Sequence, residues 1–68
     1  MSERVYKKIE IVGSSGESVT AAIEQAVAKA SRTLHNLDWF EVSEVRGRIQ
    51  DGKIADYQVT LKVGFRLD

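Results

Sequence analysis

Five side chains with complementary chemistry fall on one face of the β-sheet that the sequence predicts. They are an aromatic ring, an amide and three cations: Trp39, Gln58, Arg46, Lys62 and Arg66. An indole offers a flat stacking surface, a glutamine amide both donates and accepts hydrogen bonds, and cations attract phosphate. The set therefore suits a flat heteroaromatic ligand that carries a phosphate tail.

Trp39 is the only tryptophan of the chain, and strand alternation places it with Glu41 on the face opposite Phe40 and Val42. If Phe40 and Val42 face the helix, Trp39 faces away from the core of its own subunit. Aromatic residues are also enriched at subunit interfaces, so spacing alone puts interface packing ahead of ligand stacking. A polar surface with one interface tryptophan explains the pattern equally well.

Catalytic and metal chemistry find little support in the sequence. Only one histidine, His35, could act as a base for the serines, so the sequence shows no catalytic set of a nucleophile, a base and a third residue that orients the base. The absence of cysteine excludes a thiolate zinc cluster, and one histidine argues against a multi-histidine metal site. We therefore expect a protein that binds rather than one that catalyses.

Composition narrows the class of protein further. Ten basic and ten acidic side chains give a net charge of zero, without the basic surplus that attracts nucleic acid. No apolar run is long enough to cross a bilayer and no signal-peptide pattern is present, so we expect a cytoplasmic protein without a membrane partner. The 68 residues form one domain, 1–68, which lacks disulfides. Such small domains commonly gain stability by oligomerising.

Four elements are predicted along the chain. They are a strand from Arg4 to Val12, an amphipathic helix to about His35, a strand from Trp39 to Gln50 and a strand from Ile54 to Leu67. The third strand has an unbroken apolar face, which suits a central position. The sequence predicts an α+β subunit in which a three-stranded antiparallel sheet packs on one amphipathic helix.

Local signals set expectations for the connections. Residues 13–16 are predicted to form a tight connection, with a capping box at Ser14 and Glu17 and Ser18 as the second cap candidate. Asn36 can adopt a left-handed conformation at the end of the helix. The apolar phase slips near Ser43, which indicates a β-bulge.

The hairpin signal Asp51-Gly52 fixes the pairing of the last two strands. A three-residue loop, 50–52, with Gly52 left-handed would match the apolar faces of the two strands. In that register Arg46 lies opposite Asp56, which is a favourable pair of charges.

Five segments together resemble one known family, the dodecins, over essentially the whole chain. They are Ile9-Glu10-Ile11-Val12-Gly13-Ser14-Ser15, Leu37-Asp38-Trp39-Phe40-Glu41-Val42, Arg46-Gly47, Tyr57-Gln58-Val59 and Val63-Gly64-Phe65-Arg66-Leu67. The resemblance implies a hollow homododecamer of β-α-β-β subunits. It also implies flavins bound in antiparallel pairs at two-fold contacts, between tryptophans of symmetry-related subunits.

Site residues follow from the resemblance by position. Trp39 matches the stacking tryptophan, and Gln58 matches the glutamine that bonds the pyrimidine-like edge of the flavin ring. Arg46 matches an arginine of bacterial-type members, which favours FMN over riboflavin, with FAD a further alternative. Arg66, with Arg4 and Tyr6, matches positions near the ribityl and phosphate groups.

Coenzyme A is a second ligand that some members of the family hold. Lys7, Lys29 and Arg32 are the residues that could serve it here. The family role is storage of flavin and photoprotective quenching rather than turnover. Two other functions stay open: a structural shell whose tryptophan only packs subunits, and a small enzyme that uses bound flavin for redox chemistry.

Overall fold

The computed structural model describes residues 3–68 as four elements in the order β-α-β-β. They are β1 (Tyr6–Ser15), α1 (Val19–Ala30), β2 (Leu37–Gln50) and β3 (Lys53–Arg66). The strands form one antiparallel sheet in the order β1-β3-β2, and α1 packs on one face of it. The predicted fold class and the central position of the last strand are confirmed. Within residues 3–68, no helix is long and apolar enough to cross a membrane.

β1 begins two residues later than the predicted Arg4 and extends beyond the predicted end at Val12. Residues 13–15 were expected in a connection, but they pair with β3. A side chain at Gly13 would overlap the carbonyl oxygen of Ala22 and lie 2.9 Å from the Cβ of Ala26. Gly13 therefore allows α1 to lie close against the sheet, and the expectation that it forms a turn was wrong.

α1 is capped at its N-terminus by Ser18, the second of the two predicted cap candidates. The Oγ of Ser18 accepts a hydrogen bond of 2.9 Å from the backbone N–H of Ala21. This bond satisfies one of the free donors at the helix N-terminus. The predicted capping box of Ser14 and Glu17 is wrong, because Ser14 lies within β1.

α1 ends at Ala30, five residues before the predicted end near His35. The N–H groups of Arg32 and Thr33 each bond to a carbonyl three residues earlier at 3.2 Å, so the helix tightens into a turn. Asn36 has the predicted left-handed conformation, with φ 64, but it leads into β2 instead of ending the helix.

The hairpin between β2 and β3 has a two-residue turn rather than the predicted three-residue loop. Asp51 and Gly52 both have positive φ, 54 and 75, and the flanking Gln50 and Lys53 pair with each other. Positive φ at both central positions is the signature of a type I′ turn. The left-handed Gly52 is confirmed.

Three register shifts interrupt the pairing of β2 with β3. The predicted bulge is confirmed between Val42 and Glu44, and the others fall between Leu37 and Trp39 and between Arg48 and Ile49. The last shift arises because Ala55 is an extra residue on β3, which was not predicted. As a result Arg46 lies opposite Gln58, and the predicted pairing of Arg46 with Asp56 is wrong.

The core lies between α1 and β3. The buried residues are Ala22, Ala26, Val59, Leu61 and Val63. Phe40 and Val42 were expected to face the helix, and they lie on its side of the sheet. They remain about half exposed, however, because α1 packs over β1 and β3 and does not extend across β2.

Candidate functional site

The outer face of the sheet, opposite α1, carries most of the predicted site residues in rows across the three strands. Because β3 is central, its outward residues from Gln58 to Gly64 each have one neighbour on β1 and one on β2. The rows are Lys8–Gly64–Trp39, Glu10–Lys62–Glu41, Val12–Thr60–Glu44 and Ser14–Gln58–Arg46. No other element of residues 3–68 covers this face.

At one end of the outer face, the indole of Trp39 lies on the backbone of Gly64. A Cβ atom at Gly64 would overlap the indole atoms Cζ2 and Cε2 and lie 2.6 Å from Cη2. The ring of Tyr6 packs against the indole at a tilt of 60°, with 4.9 Å between the ring centroids. Trp39 is still 40% exposed. The indole is therefore supported from the sheet side and open on the solvent side.

The predicted arginines near this end differ in their placement. Arg66 is half-buried at the end of β3 and pairs across the strands with Tyr6. Arg4 is exposed and precedes β1 by two residues. The structure therefore gathers Trp39, Tyr6 and Arg66 at one end of the outer face, and it shows no contact of Arg4 with them.

An ion pair crosses the outer face next to the indole. Lys8 of β1 reaches over β3, and its Nζ lies 2.8 Å from Oε1 of Glu41 on β2. The hydrogen bond from Lys8, together with its charge, lowers the pKa of Glu41 below the usual 4.5. The pair borders the Trp39 end on the side toward Lys62, whose own charge acts in the same direction.

At the other end of the outer face, Arg46 orients the amide of Gln58. The Nε–H of Arg46 donates to Oε1 of Gln58 at 3.4 Å, which directs the amide oxygen toward β2 and the amide nitrogen away from it. The row then presents a guanidinium donor, an amide acceptor and an amide donor in order. Such an array complements a ligand edge of acceptor, donor and acceptor.

Beyond this row, Arg48 and Asp56 form a second ion pair. Nη2 and Nε of Arg48 lie 2.7 and 3.0 Å from Oδ2 of Asp56. The hydrogen bond from Arg48 lowers the pKa of Asp56 below its usual 3.8, and the same bond raises the pKa of Arg48. This pairing occupies Arg48 and leaves Arg46 beside Gln58.

The two ends of the outer face are too far apart to hold one ring within a single subunit. Gly64, under the indole of Trp39, and Gln58 are six residues apart on β3. At the rise of a strand this separation is about 20 Å. A tricyclic ring stacked on Trp39 cannot reach Gln58 of the same chain. If both residues hold one ligand, two subunits must contribute to the site.

The residues named for coenzyme A lie elsewhere. Lys7 pairs with Phe65 on the helix side of β1, Lys29 lies in the last turn of α1, and Arg32 follows that helix. All three cations are exposed, and Lys29 lines an open cleft of about 530 Å³ between α1 and β1. The structure does not bring them to the outer face, and their role stays a prediction.

Sequence reasoning missed two features of the outer face. Gly64 was treated only as part of a motif, although an isolated glycine inside a strand pattern signals a close approach. The pairing of Lys8 with Glu41 joins residues on strands that are not neighbours, so no local spacing indicates it. Among residues 3–68, no group of three or more His, Cys, Asp or Glu side chains could hold a metal ion.

Comparison with known proteins places this chain and its fold in a family. The family model described as Dodecin matches residues 5–68. This chain belongs to the dodecins. A curated dodecin from Thermus thermophilus is 55% identical over 65 residues, which cover 96% of this chain and 94% of that protein. The resemblance read from the sequence is thus confirmed.

Solved structures of other dodecins share the fold. The dodecin from Streptomyces davaonensis is 60% identical and has a TM-score of 0.93, with 98% of each chain covered. A more distant relative is the calcium chelating antigen of Mycobacterium tuberculosis, named calcium dodecin and described with a novel calcium-binding site. It is 32% identical, with a TM-score of 0.81, and 94% of this chain and 91% of that chain are covered.

Proposed function

We propose that this dodecin binds FMN on its outer face and stores it in a form protected from light. The observation that carries this proposal is the indole of Trp39, which is seated on Gly64 and 40% exposed on a face that no other element of residues 3–68 covers. An indole held in this way offers an open aromatic face on which a ligand can stack. A flat, electron-poor ring matches it in shape and in electronic character.

The row of Arg46 and Gln58 fits the edge of a flavin ring. The pyrimidine part of that ring presents a carbonyl, an N–H and a second carbonyl. Arg46 can donate to one carbonyl, while Gln58 accepts from the N–H and donates to the other. Because Oε1 of Gln58 has two lone pairs, it can accept from Arg46 and from the ligand together.

The ligand site would be shared between two subunits related by a two-fold axis. The separation of about 20 Å between Trp39 and Gln58 leads to this arrangement, because stacking and edge bonds must come from different copies. The resemblance to the dodecins implies that two flavins pair between the two Trp39 rings at such a contact. This site belongs to a hollow homododecamer in the cytoplasm.

The phosphate group of FMN would lie near the cations at the Trp39 end. Arg66 can bind phosphate oxygens with two donors, Tyr6 is its partner on β1, and Arg4 on the segment before β1 would add a further cation. Riboflavin would forgo this contact, and FAD would need room for its adenosine. These cations therefore favour FMN.

Assembly also accounts for the apolar residues on the helix side of β2. Phe40, Val42 and Val45 are 49%, 43% and 53% exposed, and the buried core is small. A free subunit would expose these side chains as a contiguous apolar strip. Their burial against other subunits supports the proposed oligomer.

Three other functions have weaker support. A flavin enzyme needs a general acid or base beside the ring, and Glu41, the next outward residue of β2 after Trp39, is bound by Lys8. If the protein were only a structural shell, the array of donors and acceptors of Arg46 and Gln58 would have no function. Calcium binding as in the Mycobacterium tuberculosis relative has no cluster of ligands within residues 3–68 to support it.

The chemistry of protection comes from Trp39 itself. An indole is easily oxidised, and in van der Waals contact with an excited flavin it donates an electron before the flavin can emit. Bound FMN should therefore be nearly dark. Trp39→Phe keeps a stacking surface but removes this donor, so we expect bound FMN to regain fluorescence while much of the affinity remains.

The test measures mass, FMN affinity and emission on the same samples of wild type and Trp39→Phe. Light scattering should give about twelve times the chain mass for both proteins. A wild-type protein that takes up no added FMN would favour the structural shell. An intact assembly of Trp39→Phe with fully quenched FMN would contradict the donor role of Trp39.

A further inference from the structure

Gly64 is an unusual residue to find within a central strand. It is buried, and it pairs with Lys8 of β1 and Trp39 of β2. Glycine weakens a strand interior, because it loses more conformational freedom than any other residue and packs no side chain. Its backbone does not have a positive φ, so no unusual conformation requires it. The reason for this glycine must lie in what approaches it.

The indole of Trp39 occupies the place where a side chain at residue 64 would be. Any Cβ there would overlap Cζ2 and Cε2 of the ring and lie 2.6 Å from Cη2. All three atoms belong to the six-membered ring, so the ring lies flat across the backbone of β3. An alanine at position 64 would push the ring off the strand.

From this geometry we infer that Gly64 is a positioning residue, which seats the indole of Trp39 flat on β3 and so determines which face of the ring is offered to a ligand. Two further groups border the indole in this position. Tyr6 packs against the ring at 60°, and the ion pair of Lys8 and Glu41 crosses β3 beside it.

The substitution that tests this inference is Gly64→Ala. The displaced atoms belong to a side chain with two rotatable bonds, so the fold can survive while the ring moves. Because Trp39 is the only tryptophan, near-ultraviolet circular dichroism of the indole and its quenching by acrylamide report on this ring alone. We expect Gly64→Ala to change the indole dichroism and to increase quenching by acrylamide several-fold, in the absence of any ligand.

Thr60→Ala is the matched control. Thr60 lies on the same strand and the same face, four residues from Gly64, which places it about 13 Å away along the strand. This variant should leave the dichroism and acrylamide quenching of Trp39 as in wild type. Equal changes in both variants would overturn the role of Gly64.

A double-mutant cycle separates the ring from the backbone. In a Trp39→Ala background there is no indole to displace, so adding Gly64→Ala should shift the urea midpoint much less than it does in wild type. If Gly64→Ala alone fails to fold, folding of the double variant supports the inference. Equal shifts in both backgrounds, or failure of both variants to fold, would show that Gly64 serves the backbone and would overturn it.

A last measurement with FMN rests on the proposed function. Gly64→Ala should weaken FMN binding at least tenfold and partly restore the emission of bound FMN, while Thr60→Ala should do neither. If wild type binds no FMN, the proposed function fails, but the dichroism, the acrylamide quenching and the double-mutant cycle still decide the inference about Gly64. If Gly64→Ala displaces the indole but binds FMN as wild type does, Gly64 positions the ring only in the free protein. That result would overturn its part in offering the ring to a ligand.

Discussion

The two strands of the β2–β3 hairpin have matching apolar faces but opposite burial. Val59 of β3 is fully buried, whereas its partner Val45 on β2 is 53% exposed. Likewise Val63 is 1% exposed and its partner Phe40 is 49% exposed. Both members of each pair lie on the side of the sheet that carries α1. The difference arises because α1 covers β1 and β3 only.

This difference separates the fold of the subunit from its assembly. β3 supplies most of the buried core and so holds the subunit together. β2 adds hydrogen bonds to the sheet, but its apolar face gains little from its own chain. Where one strand of a hairpin is buried and the other is not, substitutions on the two strands should have different consequences.

The largest effect should come from placing a charge on the apolar face of β2. Val45→Asp puts a carboxylate where another subunit is expected to pack, and an unpaired charge buried in an interface is strongly unfavourable. We expect the proposed twelve-subunit species to be lost, with small species in its place by light scattering. FMN binding should disappear with it, because the proposed site needs two subunits.

The same substitution at an exposed valine away from β2 provides the control. Val5 is 65% exposed and precedes β1, so Val5→Asp should retain the full mass. Loss of assembly in both variants would mean that any added charge disrupts the particle. Survival of Val45→Asp would show that β2 is not at a subunit contact.

Truncation in β3 should instead weaken the subunit itself. Leu61 is fully buried in the core, so Leu61→Ala should reduce the free energy of unfolding by about 2–5 kcal/mol. Urea unfolding at constant protein concentration measures this loss. The neighbouring Thr60→Ala, on the outer face, should change it by no more than about 0.5 kcal/mol. A cost below about 1 kcal/mol for Leu61→Ala would contradict the assignment of the core.

The sequence could predict the faces of the strands but not their exact partners. Strand alternation has a period of two, so it correctly assigned Arg46 to the outer face. A register shifted by two residues preserves every face, and the predicted partner Asp56 therefore differed from the observed Gln58. The extra residue at Ala55 could not be predicted for the same reason, because together with the two-residue turn it preserves the same faces as the predicted three-residue loop.

The sequence also could not predict where the helix ends or how far it extends across the sheet. The apolar spacing continues through Leu34, which is half-buried, although the helix ends at Ala30. Strand alternation correctly placed Val42 on the helix side of the sheet. Alternation carries no information, however, about how far a helix extends across that sheet. For the candidate site, the outward side chains could be named from the pattern, but Gly64 emerged only from the position of the indole.

A smaller effect is expected at the Gln58 end of the outer face. Gln58→Ala removes the acceptor and the donor that face the ligand, and should weaken FMN binding by about 1–3 kcal/mol. The mass should not change, because Gln58 lies outside the core. Gln58→Glu keeps the acceptor toward Arg46 but removes the donor, so it should also lose affinity. Titration of FMN into each assembly measures both, and unchanged affinity would remove Gln58 from the site.

The smallest effect should be the loss of the two ion pairs of β2 in acid. The pKa values of Glu41 and Asp56 are lowered in the folded protein, from 4.5 and 3.8, by Lys8 and Arg48. A lowered pKa of a carboxyl group stabilises the fold above the unfolded value, and the contribution is lost as pH falls through the folded value. Stability should therefore decrease below about pH 4.5, with the ion pairs intact at neutral pH.

The two pairs should contribute unequally to this loss. The side chain of Asp56 is 19% exposed and that of Glu41 is 51% exposed, so solvent screens the pair of Arg48 and Asp56 less. The urea midpoint of each protein is measured at pH 7 and at pH 3, at one protein concentration. The difference between the two midpoints should be largest in wild type, smaller in Lys8→Gln and smallest in Arg48→Gln. Equal pH dependence in all three proteins would show that neither pair stabilises the fold at neutral pH. A flatter response in Lys8→Gln than in Arg48→Gln would reverse their order, and would place the stronger tie across β3 instead of within the β2–β3 hairpin.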